Sequence, residues 1–168
     1  MRRLLLMRHG KSDWDAPYGT DHDRPLAQRG ERAARAMGEV LQKIDEVPDT
    51  LVSSSALRAR ATAELARVAG GWPCPLVIAE GVYGAGPHEV LRVAAAHGGD
   101  VERLMLVGHE PTWSQLVGQL TGARTRVKTG TVVAIDLDIE SWREAPHSEG
   151  VLAYLLNPRM FTDGSWTL

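Results

Sequence analysis

The sequence predicts a three-layer α/β fold, with a mostly parallel central sheet flanked by helices. Short and almost wholly apolar runs recur along the chain, as in strands buried on both faces. Between them, apolar residues repeat at the three-to-four-residue spacing of a helix face. No internal repeat or low-complexity segment interrupts this alternation over 168 residues, so 1–168 is expected to form a single domain.

Arg3 to Met7 is the first apolar run, bounded by charges, and reads as a central strand at the N-terminus. A polar, Asp-rich stretch from Lys11 to Pro25 follows. Ala33, Ala34, Met37, Val40, Leu41 and Ile44 then lay one apolar stripe along a helix, which Gly30 and Gly38 weaken. Leu51 and Val52 begin a second strand, and Ser53 to Ser55 are expected to cap a helix carrying Leu57, Ala61, Leu65 and Val68 on one side. Gly70 and Gly71 end that helix. Leu76 to Ala79 is a third strand, and Pro87 opens a helix that stops at Gly98 and Gly99. Arg103 to Val107 is a fourth strand, running into Gly108-His109-Glu110-Pro111 and a helix through Leu116, Val117 and Leu120. Thr131 to Leu137 and Val151 to Leu156 read as late strands paired in a hairpin. The last ten or so residues carry no periodic signal.

Hydrophobic residues at 43% and charged residues at 24% exclude a disordered, collagenous or disulfide-scaffold chain. With 19 Lys plus Arg against 21 Asp plus Glu, the net charge of -2 offers no general basic surface, so nucleic acid is not an expected partner. The single cysteine, Cys74, forms no internal disulfide and fits a reducing compartment, so the cytoplasm is the expected location. The apolar run after Met1-Arg2-Arg3 stops at Arg8-His9, too soon for a signal peptide or membrane span.

In a parallel sheet, ligand chemistry sits beyond the C-terminal ends of the strands. Three polar clusters fall there: Arg8-His9-Gly10-Lys11-Ser12, Ser53 to Arg58, and Gly108-His109-Glu110-Pro111. They bring two imidazoles and two guanidiniums toward one crevice, which would attract an anion. Phosphate is preferred, because guanidinium forks match its oxygens and the helix after His109 adds N–H donors. Neutral imidazole is also a competent nucleophile for phosphoryl groups. Lys11 and Ser12 are candidate substrate contacts.

Arg8-His9-Gly10 after the first strand resembles the signature of the histidine phosphatase superfamily, also called phosphoglycerate mutase-like. Arg24-Pro25-Leu26 with Arg29-Gly30, Ser54 to Thr62 around Arg58, and Val107 to Pro111 follow in that family's order. The short length, Val82-Tyr83, Thr129-Gly130 and Asn157-Pro158-Arg159 resemble the small SixA-type phosphohistidine phosphatases in particular. Ser55 and Ala61 depart from the family's usual proline and frequent glutamine, at positions not expected to touch phosphate. The resemblance implies a phosphatase without cofactor or metal, acting through a covalent phosphohistidine at His9, with Arg8, Arg58 and His109 holding the phosphoryl group. Its expected substrate is phosphohistidine on a protein; a small phosphomonoester is the alternative. Glu80 is the candidate general acid, with Asp13, Asp15, Asp21 and Asp23 as other donors, and a phosphoimidazole needs none because its leaving group is already good.

Competing readings are weaker. Gly10-Lys11-Ser12 resembles the end of a P-loop, but Leu5 stands where the first glycine is required. His88-Glu89 lacks the second histidine of a zinc helix, since Arg92 takes its place. A phosphate-binding module without catalysis would use the same arginines but has no need of His9. His22, His88, His97 and His147 read as surface residues, and Asp23 with Arg24 as a loop ion pair. With little length for inserted caps, the pocket is expected to be open.

Overall fold

The computed structural model describes residues 1–163, and those beyond, the end of the aperiodic tail, lie outside the described residues. The strands are β1 (Arg2–Arg8), β2 (Thr50–Ser54), β3 (Leu76–Ala79), β4 (Arg103–Gly108), β5 (Val132–Leu137) and β6 (Gly150–Leu156). The helices are α1 (Gln28–Lys43), α2 (Leu57–Ala69), α3 (Pro87–His97), α4 (Thr112–Thr121) and α5 (Arg159–Thr162). Short 3₁₀ turns at Asp21–Asp23, Glu80–Val82 and Trp142–His147 carry no signal in the hydrophobic pattern.

The strands form one mixed sheet in the order β3-β2-β4-β1-β5-β6. β3, β2, β4 and β1 run parallel, while β5 pairs antiparallel with both β1 and β6, making the expected hairpin. The central position of β1 follows from its composition, since Leu4 to Met7 are all completely buried. Alternate side chains serve opposite layers. Leu4 and Leu6 face a core with Val90 and Leu91 of α3 and Trp113 and Leu116 of α4. Leu5 and Met7 face Met37 and Leu41 of α1 and Ala59, Ala63 and Ala66 of α2. Each leucine so buried contributes about 2 kcal/mol, enough to make this strand's register unambiguous.

Three expectations need correction. The buried face of α2 is Arg58, Ala59, Thr62, Ala63 and Ala66, whereas Val68 is exposed. The large residues suggested one face, but close packing against α1 selected the small ones. Gly38 makes that approach possible, because a Cβ there would collide with the Ala66 carbonyl oxygen; the helix propensity it sacrifices is offset by contact. Gly30 plays the same part against the Lys11 backbone. Nor do the serines cap α2: its N-cap is Ala56, with no side-chain cap, and the Ser54 hydroxyl accepts instead from the Ala56 N–H at 3.3 Å. Lastly, the tail that shows no periodicity contains the short helix α5.

Gly38→Ala is expected to cost about 1–3 kcal/mol by overpacking the α1–α2 contact. Denaturant unfolding checks this, with Gly81→Ala as control, where the added Cβ meets the Val93 side chain at an ordinary 3.4 Å.

Candidate active site

Adjacent β1 and β4 end at the same edge, with Arg8 opposite Gly108 and the His9 N–H donating to the Gly108 carbonyl at 3.0 Å. The residues that follow the two strands are therefore neighbours: the His9 and His109 ring centroids lie 5.3 Å apart. Gly10 is needed for this turn, since a Cβ would stand 2.6 Å from the Gly30 carbonyl oxygen. Its N–H donates to Thr62 Oγ1 at 3.0 Å, and the Thr62 hydroxyl donates to the Arg58 carbonyl at 2.7 Å, tying the His9 turn to α2. From the other face, Trp113 Nε1–H donates to the Met7 carbonyl at 2.8 Å.

His9 is only 7% exposed. Its Nδ1 lies 2.7 Å from the Gly10 carbonyl oxygen, which can only accept, so Nδ1 carries the ring proton and Nε2 keeps its lone pair. Burial, followed by the positive surroundings of His109, Arg58 and Arg8, outweighs the Gly10 bond and pushes the His9 pKa down to about 3. Burial and Arg58 likewise lower His109 to about 4, against the opposing charge of Asp21. Both rings are neutral near pH 7. His109 Nε2 shares a 2.8 Å hydrogen bond with the Ser54 hydroxyl at the end of β2.

Arg58, also nearly fully buried, donates to the Asp21 carbonyl at 2.7 Å and to its carboxylate at 3.1 Å. Arg24 donates to the same carboxylate at 3.0 Å and stacks beneath Trp14, its guanidinium carbon 3.4 Å from the ring centroid. The expected pairing of Arg24 with Asp23 is thus replaced by one with the exposed Asp21, which lies on the 3₁₀ turn. Arg8 donates to the Val127 carbonyl at 2.9 Å. Glu110 braces that arrangement: its carboxylate accepts from Ser114 N–H and Oγ–H, and Ser114 Oγ accepts from Val127 N–H. Nε of Arg8, of Arg24 and of Arg58, together with Nη1 of Arg24, are buried donors without a protein partner. Buried donors left bare are costly, and an oxyanion beside these guanidiniums would offset their gathered positive charge.

A cavity of about 360 Å³ is lined by Arg58, His109, Asp21 and Tyr83, among others. Tyr83 stands edge-on to His109 and to His22, and its hydroxyl donates to Asp21 at 3.0 Å. Hydrogen bonds from Tyr83 and Arg58, with the charges of Arg58 and Arg24, outweigh burial and hold the Asp21 carboxyl below its usual range. Asp21 is thus an ionised brace for the arginines and unsuited to giving up a proton. Glu80 is exposed and, like His9 and Arg8, is not among the residues lining this cavity. Lys11 lines a separate cavity with Arg8, and buried Ser12 pairs with Leu26 in an isolated β-bridge. His88, His97 and His147 are exposed, while His22 sits at the rim, 3.0 Å from Ser55 Oγ.

Sequence reasoning named Asp21 only as a possible proton donor, Arg24 and Tyr83 only within motifs, and Ser54 and Thr62 only as the ends of the stretch around Arg58, and it assigned none of them a bracing part. Only Thr62 had a local signal, four residues after Arg58 on the same helix face. Among the described residues no three His, Cys, Asp or Glu side chains cluster to hold a metal ion, and no helix is long and apolar enough to cross a membrane.

A model of the histidine phosphatase superfamily (branch 1) matches residues 4–82. Over 165 residues the chain is 31% identical to an uncharacterized protein of Picosynechococcus, covering 93% of this chain and 96% of that relative. The chain belongs to the histidine phosphatase superfamily. Within it the chain falls in the SixA-type branch. It superimposes on a candidate phosphohistidine phosphatase SixA from Nakamurella multipartitia with a TM-score of 0.80 and 27% identity, over 94% of this chain and 96% of the other. The alpha-ribazole phosphatase from Shigella flexneri shares the fold, with a TM-score of 0.70 at 20% identity over 93% and 96% of the two chains.

The depressed pKa values set the pH response. An unfolded chain protonates both imidazoles near 6.5, the folded one only near 3 to 4, so stability is full above about pH 6.5 and falls as pH drops toward 4. By ¹⁵N NMR, the His9 and His109 rings should keep their neutral signature from pH 8 to about 5. A midpoint near 6.5 for His9 would contradict the buried, neutral assignment.

Proposed function

We propose that this protein is a phosphatase that removes the phosphoryl group from phosphohistidine on proteins, through a covalent intermediate on His9. The observation that carries this reading is a buried, neutral imidazole whose Nε2 lone pair is bare while Nδ1–H is held by the Gly10 carbonyl. Such a ring is a nucleophile without prior deprotonation, and its retained Nδ1–H makes it a good leaving group once phosphorylated.

In the first step, His9 Nε2 attacks phosphorus in line. The P–N bond to the substrate imidazole breaks, and that ring, protonated on its other nitrogen, departs neutral. In the second, water attacks phosphorus, the P–Nε2 bond breaks, and dihydrogen phosphate leaves with both water protons. Arg8, Arg58 and His109 hold the phosphoryl oxygens in both steps, and Arg24 adds positive charge. The chemistry asks nothing of a metal or cofactor. Nor does it need a general acid, which fits a cavity whose lining carboxyls are an ionised Asp21 and a Glu110 engaged by Ser114. An alkyl phosphomonoester would need such a proton for its alkoxide. Cys74, free and buried, suits a reducing cytoplasm.

The test is steady-state hydrolysis of a phosphohistidine protein and of small phosphomonoesters by wild type and variants. His9→Ala should lower kcat/KM by about 1,000-fold or more, and Glu80→Gln should change it by less than about twofold on either substrate. Faster turnover of a monoester than of phosphohistidine would reverse the choice of substrate. Full activity in His9→Ala would leave only a phosphate-binding reading of the site.

A further inference from the structure

Strand order places a second cavity, of about 560 Å³, on the opposite side of the β1 terminus from Arg58 and His109. Arg8, Lys11, Arg29, Arg126, Lys128 and Arg159 line it, and no aspartate or glutamate does so among the described residues. In a chain of net charge -2, six cations from four separate segments around one concavity are a marked local excess. Like charges gathered around one concavity repel one another, more so as salt falls. Arg29 bears an added cost in the first turn of α1, where the helix dipole disfavours a cation. An anionic ligand relieves both penalties.

We infer that this pocket is a docking site for an acidic peptide segment flanking the phosphohistidine of the substrate. The inference rests on the phosphohistidine reading and names what lies next to the modified residue. Arg8 lines the basic pocket and directly precedes His9 at the β1 terminus, so a substrate whose phosphoryl group sits at His9 can reach this pocket with its flanking segment. The volume exceeds what a single oxyanion fills and lies within the range of ligand sites. Carboxylates spaced along an extended segment match cations spread over Arg29, Arg126, Lys128 and Arg159 better than one compact charge does. The concave form and the chain's slight negative charge disfavour a duplex nucleic acid or a flat membrane.

The experiment uses the full chain and an Arg126→Gln/Lys128→Gln/Arg159→Gln variant, three exposed positions outside the phosphoryl site. A fluorescent, unphosphorylated Glu-rich decapeptide is bound at low salt and followed by anisotropy. The wild type should bind it at least tenfold more tightly than the variant, and binding should weaken as salt rises. Phosphohistidine peptides with Glu or Gln flanks are then compared for turnover. The Glu-flanked peptide should show at least a tenfold higher kcat/KM with wild type, and the variant should lose that preference while cleaving the Gln-flanked peptide as before. Equal binding by wild type and variant, or tighter binding of inorganic pyrophosphate or of a duplex oligonucleotide than of the peptide, overturns the proposal. The binding arm does not depend on catalysis. Peptide binding with no phosphohistidine turnover, while a monoester is hydrolysed, would therefore overturn the substrate reading and leave the acidic-segment pocket supported.

Discussion

The site depends on one constraint: an imidazole is buried at the end of the central strand, among positive charges, and must stay neutral there. Burial alone disfavours the imidazolium, and Arg8, Arg58 and the neighbouring His109 add to it. A charged His9 would bring another cation into a place already holding buried guanidiniums. A neutral one keeps a lone pair on Nε2. The 2.7 Å contact from Nδ1 to the Gly10 carbonyl selects which nitrogen is free.

Much of the surrounding structure keeps that arrangement in place. β1 is fixed on both faces by fully buried leucines and beside β4 by register, which sets His9 next to His109. Thr62 joins the His9 turn to α2, Ser54 holds His109, and Glu110 acts through Ser114 and Val127 on Arg8. Asp21 bridges Arg58, Arg24 and Tyr83. These are braces rather than reacting groups, and they offset the cost of gathering like charges.

The layered fold was legible because Leu4 to Met7 in β1 and Leu104 to Val107 in β4 are unbroken apolar runs, and runs of that kind have few other uses. The gathering of His9, Arg8, Arg58 and His109 was legible because each lies at or just beyond a strand end, where a parallel sheet gathers its ligands. The α2 face was misread because a close helix contact selects alanines and Gly38, which hydrophobic spacing underrates. Asp21 was visible only as one of several loop acids, since it lies on a 3₁₀ turn with no periodic signature. The basic pocket escaped composition altogether, because Lys11, Arg29, Arg126, Lys128 and Arg159 are scattered in sequence and cancelled in the net charge.

The most direct measurement of the central claim is to trap the intermediate. Wild-type protein mixed with a phosphohistidine donor and quenched in alkali, where phosphoimidazole survives, can be mapped by mass spectrometry and ³¹P–¹⁵N NMR. The account predicts one phosphoryl group on Nε2 of His9. Phosphoryl on Nδ1, on another residue, or on none during turnover would contradict it.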